Sequence, residues 1–160
     1  MNTIKIGMIG FGTIGAGVAK ILTENSEIIQ KRLGARIELV KVADLDIVTD
    51  RGVKLAPDAL TTSAEEVINH PDITVVIELM GGYEPARTFL LQAIDQGKHV
   101  VTANKALLAK HGDEIFSAIT EKGLSIGFEA SIGGAIPIIR SVREAFVANN
   151  IQSIEGIVNG

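Results

Sequence analysis

The segment Gly10-Phe11-Gly12-Thr13-Ile14-Gly15 ends one apolar run, Ile4-Lys5-Ile6-Gly7-Met8-Ile9, and opens an amphipathic stretch. A chain that must leave a strand, turn within a few residues and enter a helix has few ways of doing so, and glycine is what makes them possible. Gly10 permits the tight turn, Gly12 lets backbone approach a pyrophosphate, and Gly15 lets the helix pack closely on the strand. The helix start adds unpaired N–H groups and a positive dipole end, both favourable to phosphate. A plain strand-to-helix turn is the bland alternative. The order strand, glycine turn, helix is the context that the dinucleotide-binding pattern requires.

The rest of the chain keeps one rhythm. A helix is expected over 13–30 with Val18, Ile21, Leu22 and Ile28 on its apolar face, then a strand over 37–43. Ser63-Ala64-Glu65-Glu66 has capping-box spacing and should start a short helix ending before Pro71. Residues 73–78 form a nearly continuous β-branched run, as strands covered on both faces do. A helix over 85–96 follows, with Phe89, Leu90, Ala93 and Ile94 inward and Gly97 as its stop. Next come a strand over 99–102, a short helix over 105–110 capped by Asn104, and a helix over 113–122 closed by Gly123. A strand over 124–128, a glycine-rich loop, a helix over 137–146 and a last strand over 151–158 complete the reading. Strands alternating with helices imply βαβ units. The expected fold is α/β, a Rossmann-type doubly wound, mostly parallel sheet with helices on both faces.

Composition removes whole classes of chemistry. The chain has no cysteine, which excludes disulfide scaffolds, thiolate zinc sites and cysteine nucleophiles. Formal net charge is -4 with both signs mixed along the chain, and aromatics are 4% with no Trp. Neither a phosphate-backbone partner nor a stacking platform for single-stranded nucleic acid is expected. Mean hydropathy is positive at +0.31, yet no apolar run approaches the ~18 residues of a membrane span. Lys5 ahead of an apolar stretch mimics a signal peptide, but glycines at 7, 10, 12, 15 and 17 break it. No membrane association is expected, and a cytoplasmic location is the default.

Four further places carry candidate chemistry. Asp44 follows the second strand, where a carboxylate accepts bonds from ribose hydroxyls and repels a 2′-phosphate. That favours NAD over NADP, with Asp46 as the rival acid and Arg51 or Lys54 as residues that could take the phosphate. Gly81-Gly82 sits where a parallel sheet presents its carboxyl edge, the edge at which ligands bind; a simple turn before Pro85 explains it equally well. Thr102-Ala103-Asn104-Lys105 sets a lysine at a strand exit and on a first helical turn. Partial burial there, with the positive helix end, would favour its neutral amine and suit proton transfer or the orientation of a substrate oxygen. A surface lysine is the competing reading. Finally, the glycines between Glu129 and Pro137 could turn carbonyls toward one point beside the Glu129 carboxylate, a hard-oxygen set suited to a monovalent or alkaline-earth cation; a structural loop is the simpler account. His70, His99 and His111 lack metal-ligand spacing.

Taken together these blocks resemble homoserine dehydrogenase. The resemblance rests on Gly10 through Val18, on Glu78-Leu79-Met80-Gly81-Gly82 with Pro85-Ala86, on Gly97 through Ala106, and on Glu129 through Pro137. It covers the whole chain, the residues from Ile154 onward resembling the family's approach to its substrate domain. It implies nicotinamide-dependent interconversion of L-homoserine and L-aspartate 4-semialdehyde, on the route to threonine, methionine and isoleucine. By the same resemblance Phe11 to Ile14 would bind the dinucleotide, with Met80, Gly81 and Thr102 nearby, and Lys105 would be the active-site lysine. Glu129 and the carbonyls of Ile132, Gly134 and Ile136 would hold a sodium ion.

The resemblance also sets limits. Many bacterial relatives carry Arg beside the acid after the second strand, where this chain has Ala43. NAD or NADP is therefore expected, with a lean to NAD. The family's substrate-binding acids and second catalytic lysine would lie beyond residue 160. The expected organisation is a dinucleotide-binding domain over 1–150 and the beginning of a substrate and dimerisation domain over 151–160, inactive as it stands, with the full-length enzyme a homo-oligomer. Aspartate-semialdehyde dehydrogenase shares the fold but needs a cysteine. A regulatory module that senses NAD without catalysis is the alternative of a different class.

Overall fold

The computed structural model describes residues 2–157. Its centre is β1 (Thr3–Ile9), paired in parallel with β2 (Arg36–Ala43) on one side and β4 (Val75–Glu78) on the other. Outward from these lie β3 (Leu60–Thr61), β5 (His99–Thr102) and β6 (Ile126–Gly127), all parallel, in the order β3-β2-β1-β4-β5-β6. The chain winds outward in one direction from β1 and then in the other from β4, so the strand order reverses between these two. In such a sheet the crevice opens at that switch point, outside the carboxyl ends of the strands.

Period-two alternation along the strands builds a core on each face. Met8 and Val42 point to one side, where they meet Phe11 and Ala19 of the glycine turn and first helix. Their neighbours Ile9 and Ala43 point to the other, into a larger cluster with Val67, Ile73, Leu90, Ile94, Leu107 and Ile115. Helices α1 (Thr13–Glu24), α2 (Ser26–Leu33), α3 (Ala64–Ile68), α4 (Ala86–Asp95) and α5 (Lys105–Glu121) cover the sheet. Each fully buried Leu or Ile contributes roughly 1.5–3 kcal/mol relative to exposure. Gly7 admits α3 to close range, since a Cβ there would lie 2.5 Å from Val67 and 2.7 Å from Ile73.

Several local expectations are corrected. The helix over 13–30 is two helices, broken at Asn25 (φ -102, ψ 15). Ile21 and Ile28 are 56% and 52% exposed, and the buried residues of α1 are Gly15 and Ala19. Small residues face the strand because the helix must approach it closely at the turn. The Ser63 capping box does not form: Ser63 Oγ donates to Glu65 at 2.8 Å, while Glu66 accepts from Thr61 Oγ1 at 2.6 Å. β4 is shorter than 73–78: its register with β1 begins at Val75, with the Thr74 N–H donating to Lys5 O at 3.0 Å just before it. The helices expected over 105–110 and 113–122 join as α5, with a kink at His111 (φ -125, ψ 15). Where a glycine-rich loop was expected, Glu129–Ile132 forms a short helix α6, and the helix over 137–146 is α7 (Ile138–Arg140) running into a π-helical turn Ser141–Ala145. Residues 151–157 carry no strand, and Val158 lies outside the described residues.

Candidate dinucleotide-binding site

The glycine turn is tied down from two directions. Gly10 has φ 102, and its N–H donates to Ala43 O at 2.8 Å across the strand ends. A Cβ on Gly10 would lie 2.7 Å from the Leu79 carbonyl, and one on Gly15 would lie 2.1 Å from Gly10 O. These two positions require glycine on steric grounds. Gly12 differs: nothing lies within 4 Å of its would-be Cβ, so its backbone faces open space at the start of α1. No side chain caps that helix start and no acid stands in its first turn. The amides of the first turn and a positive dipole end are thus presented with no acid of α1 itself among them. Phe11 is buried beneath the turn, while Thr13 and Ile14 are exposed above it.

Asp44 stands at the end of β2 beside the turn. One carboxylate oxygen accepts the Phe11 N–H and the other accepts the Asp46 N–H at 2.9 Å. Asp46 in turn accepts from the amides of Val48 (3.2 Å) and Thr49 (3.0 Å) and pairs with Arg51 at 3.0 Å. Hydrogen bonding from Thr49, then the Val48 amide and Arg51, holds the Asp46 carboxyl below its ordinary range. A cavity of about 420 Å³ opens between the turn and the second half of the sheet. Ile9, Gly10 and Gly12 line it on one side, Asp44 and Leu45 at one end, and Leu79, Met80 and Phe89 on the other. This is the switch-point crevice, and an open glycine backbone beside a carboxylate fits a phosphate and a ribose.

The exits of β4 and β5 are joined by buried polar bonds. Glu78 is 0% exposed; its carboxylate accepts the Met80 N–H at 2.7 Å and the Thr102 hydroxyl at 2.6 Å. The Thr102 hydroxyl also accepts the Asn104 N–H at 3.0 Å, and its carbonyl accepts Ser131 Oγ at 2.8 Å. Asn104 does two things: its side-chain oxygen caps Leu107 N at 3.1 Å and its amide donates to Gly82 O at 2.7 Å. Gly81 and Gly82 both have positive φ (81 and 74), so the Met80–Gly82 loop is a glycine-dependent turn anchored at both ends.

Of the residues singled out in the sequence, Gly10, Gly12, Asp44 and Met80 line one cavity. Thr102 stands beside them through Glu78, with Gly81 in the anchored loop. Lys105 opens α5 and is exposed, so the partial burial expected of it is absent in this chain. Glu129 turns its carboxylate to the amides of Ile139 (2.8 Å) and Arg140 (3.1 Å), and Ile136 O accepts the Ile138 N–H at 2.9 Å. Glu78, Asn104 as a clamp on Gly82, and Ser131 were not among the expected site residues. The available signal for Glu78 was a carboxylate ending a strand that is otherwise wholly apolar.

A family model described as homoserine dehydrogenase, NAD binding domain, matches residues 10–129. The chain belongs to the homoserine dehydrogenase NAD-binding family. It is 45% identical to homoserine dehydrogenase from Synechocystis over 158 residues, covering 99% of this chain and 36% of that relative. It is 41% identical to the Bacillus subtilis homoserine dehydrogenase, covering 100% of this chain and 37% of that relative. Among solved structures, a homoserine dehydrogenase from Thiobacillus denitrificans superimposes with a TM-score of 0.86 at 44% identity, over 93% of this chain and 34% of that one. The chain therefore spans about a third of the length of the homoserine dehydrogenases it matches.

Proposed function

We propose that the chain is the cofactor-binding portion of a homoserine dehydrogenase, with residues 1–150 as the dinucleotide-binding unit and 151–160 leading toward the substrate domain. The observation that carries this reading is the convergence of the open Gly12 backbone and the Asp44 carboxylate on the crevice at the sheet's switch point. The pyrophosphate belongs over Gly12, Thr13 and Ile14. The adenosine ribose belongs against Asp44, whose charge favours NAD over the 2′-phosphorylated cofactor. Met80, Gly81, Thr102 and Lys105 would lie toward a nicotinamide held at the exits of β4 and β5.

When bound, the nicotinamide supplies the acceptor for the hydride released as the homoserine carbinol becomes the semialdehyde. This chain's residues bind and orient. The α1 N-terminus would neutralise phosphate charge, the Met80–Gly82 loop would wall the crevice, and Lys105, exposed at the start of α5, would offer an N–H donor. The exposure of Lys105 suits a group that meets a substrate oxygen held by further protein. Glu129, Ile132, Gly134 and Ile136 are the proposed sodium ligands. A cation there would share the Glu129 and Ile136 oxygens with the N–H groups of Ile138, Ile139 and Arg140 that already bond them, through the remaining lone pairs.

Calorimetric titration of the chain with NADH and separately with NADPH tests the reading. NADH binding, tighter than NADPH, is expected; a folded sample binding neither removes it. In the complete enzyme Lys105→Ala should lower turnover, and an unchanged rate would restore the non-catalytic sensor reading. Homoserine-dependent NAD reduction by the 160-residue chain alone would refute its role as a cofactor-binding portion only.

A further inference from the structure

We infer that Glu78 is a positioning residue for the nicotinamide half of the crevice, acting through Met80 and Thr102; this rests on the dinucleotide reading above. In a doubly wound sheet each half takes one nucleotide, and the strands β4 to β6 form the half opposite the glycine turn. Glu78 ends β4 with no exposed surface, and the bonds recorded for its carboxylate come from Met80 N at 2.7 Å and Thr102 Oγ1 at 2.6 Å.

A carboxylate taken out of water is costly unless each oxygen is satisfied, and here one oxygen serves each strand exit. The bonds run in a fixed direction. Thr102 gives its only hydroxyl proton to Glu78, which leaves its oxygen free to accept Asn104 N. Asn104 is thereby set with its amide on Gly82 O, closing a ring from Glu78 through Thr102, Asn104 and the Gly82–Met80 loop back to Glu78. Lys105 follows Asn104 directly, so the same ring fixes where α5 starts. An apolar residue at 78 would leave the Met80 N–H and the Thr102 hydroxyl without their acceptor. A glutamine offers one acceptor atom where the carboxylate offers two, so its NH2 would be set against either the Met80 N–H or the Thr102 hydroxyl.

Titration with NADH and with ADP-ribose, which lacks the nicotinamide, separates positioning from mere stability. The wild-type chain should bind NADH more tightly than ADP-ribose. Glu78→Gln and Thr102→Val should each weaken NADH about ten-fold while leaving ADP-ribose within about two-fold, and Thr102→Ser, which keeps the hydroxyl, should restore NADH. Equal losses for both ligands, unchanged NADH binding in Glu78→Gln, or no wild-type preference for NADH would each overturn the inference while leaving the adenine-half reading intact. Loss of both ligands already in the wild type would instead overturn the dinucleotide reading. Should Glu78→Gln fail to fold, the Thr102 pair tests the same bond from its donor side.

Discussion

The Asp44 carboxylate accepts a hydrogen bond from the Phe11 N–H, so the acid at the end of β2 holds the glycine turn beside it. On the proposed reading, the same group both braces the backbone meant for the pyrophosphate and presents negative charge to a ribose. Removing it should therefore damage two contacts at once. Asp44→Ala is expected to weaken NADH binding about ten- to a hundred-fold, the range for losing a charge-assisted bond. NADPH should lose less, because the repulsion against its 2′-phosphate goes too. Paired calorimetric titrations check this; a parallel loss for both nucleotides would assign Asp44 to bracing alone.

The glycines of α1 offer a contrast in kind. At Gly15 a Cβ would lie 2.1 Å from Gly10 O, a backbone atom that can move only if the turn moves. Gly15→Ala should cost about 1–3 kcal/mol in urea unfolding, as overpacking does, and should take nucleotide binding with it. At Gly17 nothing lies within 4 Å, in the middle of a helix. Gly17→Ala should leave binding alone and raise stability by about 0.5–1 kcal/mol through the unfolded chain. Equal behaviour of the two variants would contradict the packing described for α1.

The alternation of strand and helix carried the topology, and the glycine turn and the acid ending the second strand each carried one part of the cavity that Gly10, Gly12 and Asp44 line, because each is written in residues next to a strand end. What stayed hidden depends on partners distant in sequence. The break at Asn25 is invisible in a hydrophobic pattern that runs on to Ile28, and Ile21 belongs to that pattern without being buried. Ser63 has every local feature of a cap, yet Glu66 goes to Thr61 and Lys41 instead. β3, at two residues, is too short to show a period. Glu78 could be recognised only once β4 and β5 were placed side by side, since its partner Thr102 is 24 residues away.

Acid should act through surface carboxylates. Hydrogen bonding from Thr61 and then Lys41 holds Glu66 low, as Lys5 does for Asp72 and Arg87 for Glu114. A folded pKa below the unfolded one gives stability that is present above the unfolded value, near 4, and lost as pH falls through the folded one. Urea midpoints should be flat from pH 7 to 5 with respect to these groups and fall below it. In 1 M salt, which screens exposed pairs, the fall should be shallower; a salt-independent limb would point to buried groups.

Lys98 should give the opposite limb at alkaline pH. It is 5% exposed, with Nζ donating to the carbonyls of His70 at 2.8 Å and Ile73 at 2.6 Å at the amino end of the sheet, away from the crevice. Burial pushes its pKa below the ordinary 10.5. Between the lowered folded value and 10.5 the unfolded chain binds more protons, so this residue's contribution to stability rises with pH through that window. Lys98→Met removes the titration and takes the Nζ donor from the Ile73 carbonyl, while the His70 carbonyl keeps the Ile73 N–H at 3.3 Å, costing about 1–3 kcal/mol at pH 7. Because a neutral amine still donates to them, the stability gap between wild type and variant should widen as pH rises toward 10.5, with every other titrating group common to both proteins. A gap that stays flat or narrows in urea unfolding over that range would mean that Lys98 carries its charge in the folded core without penalty.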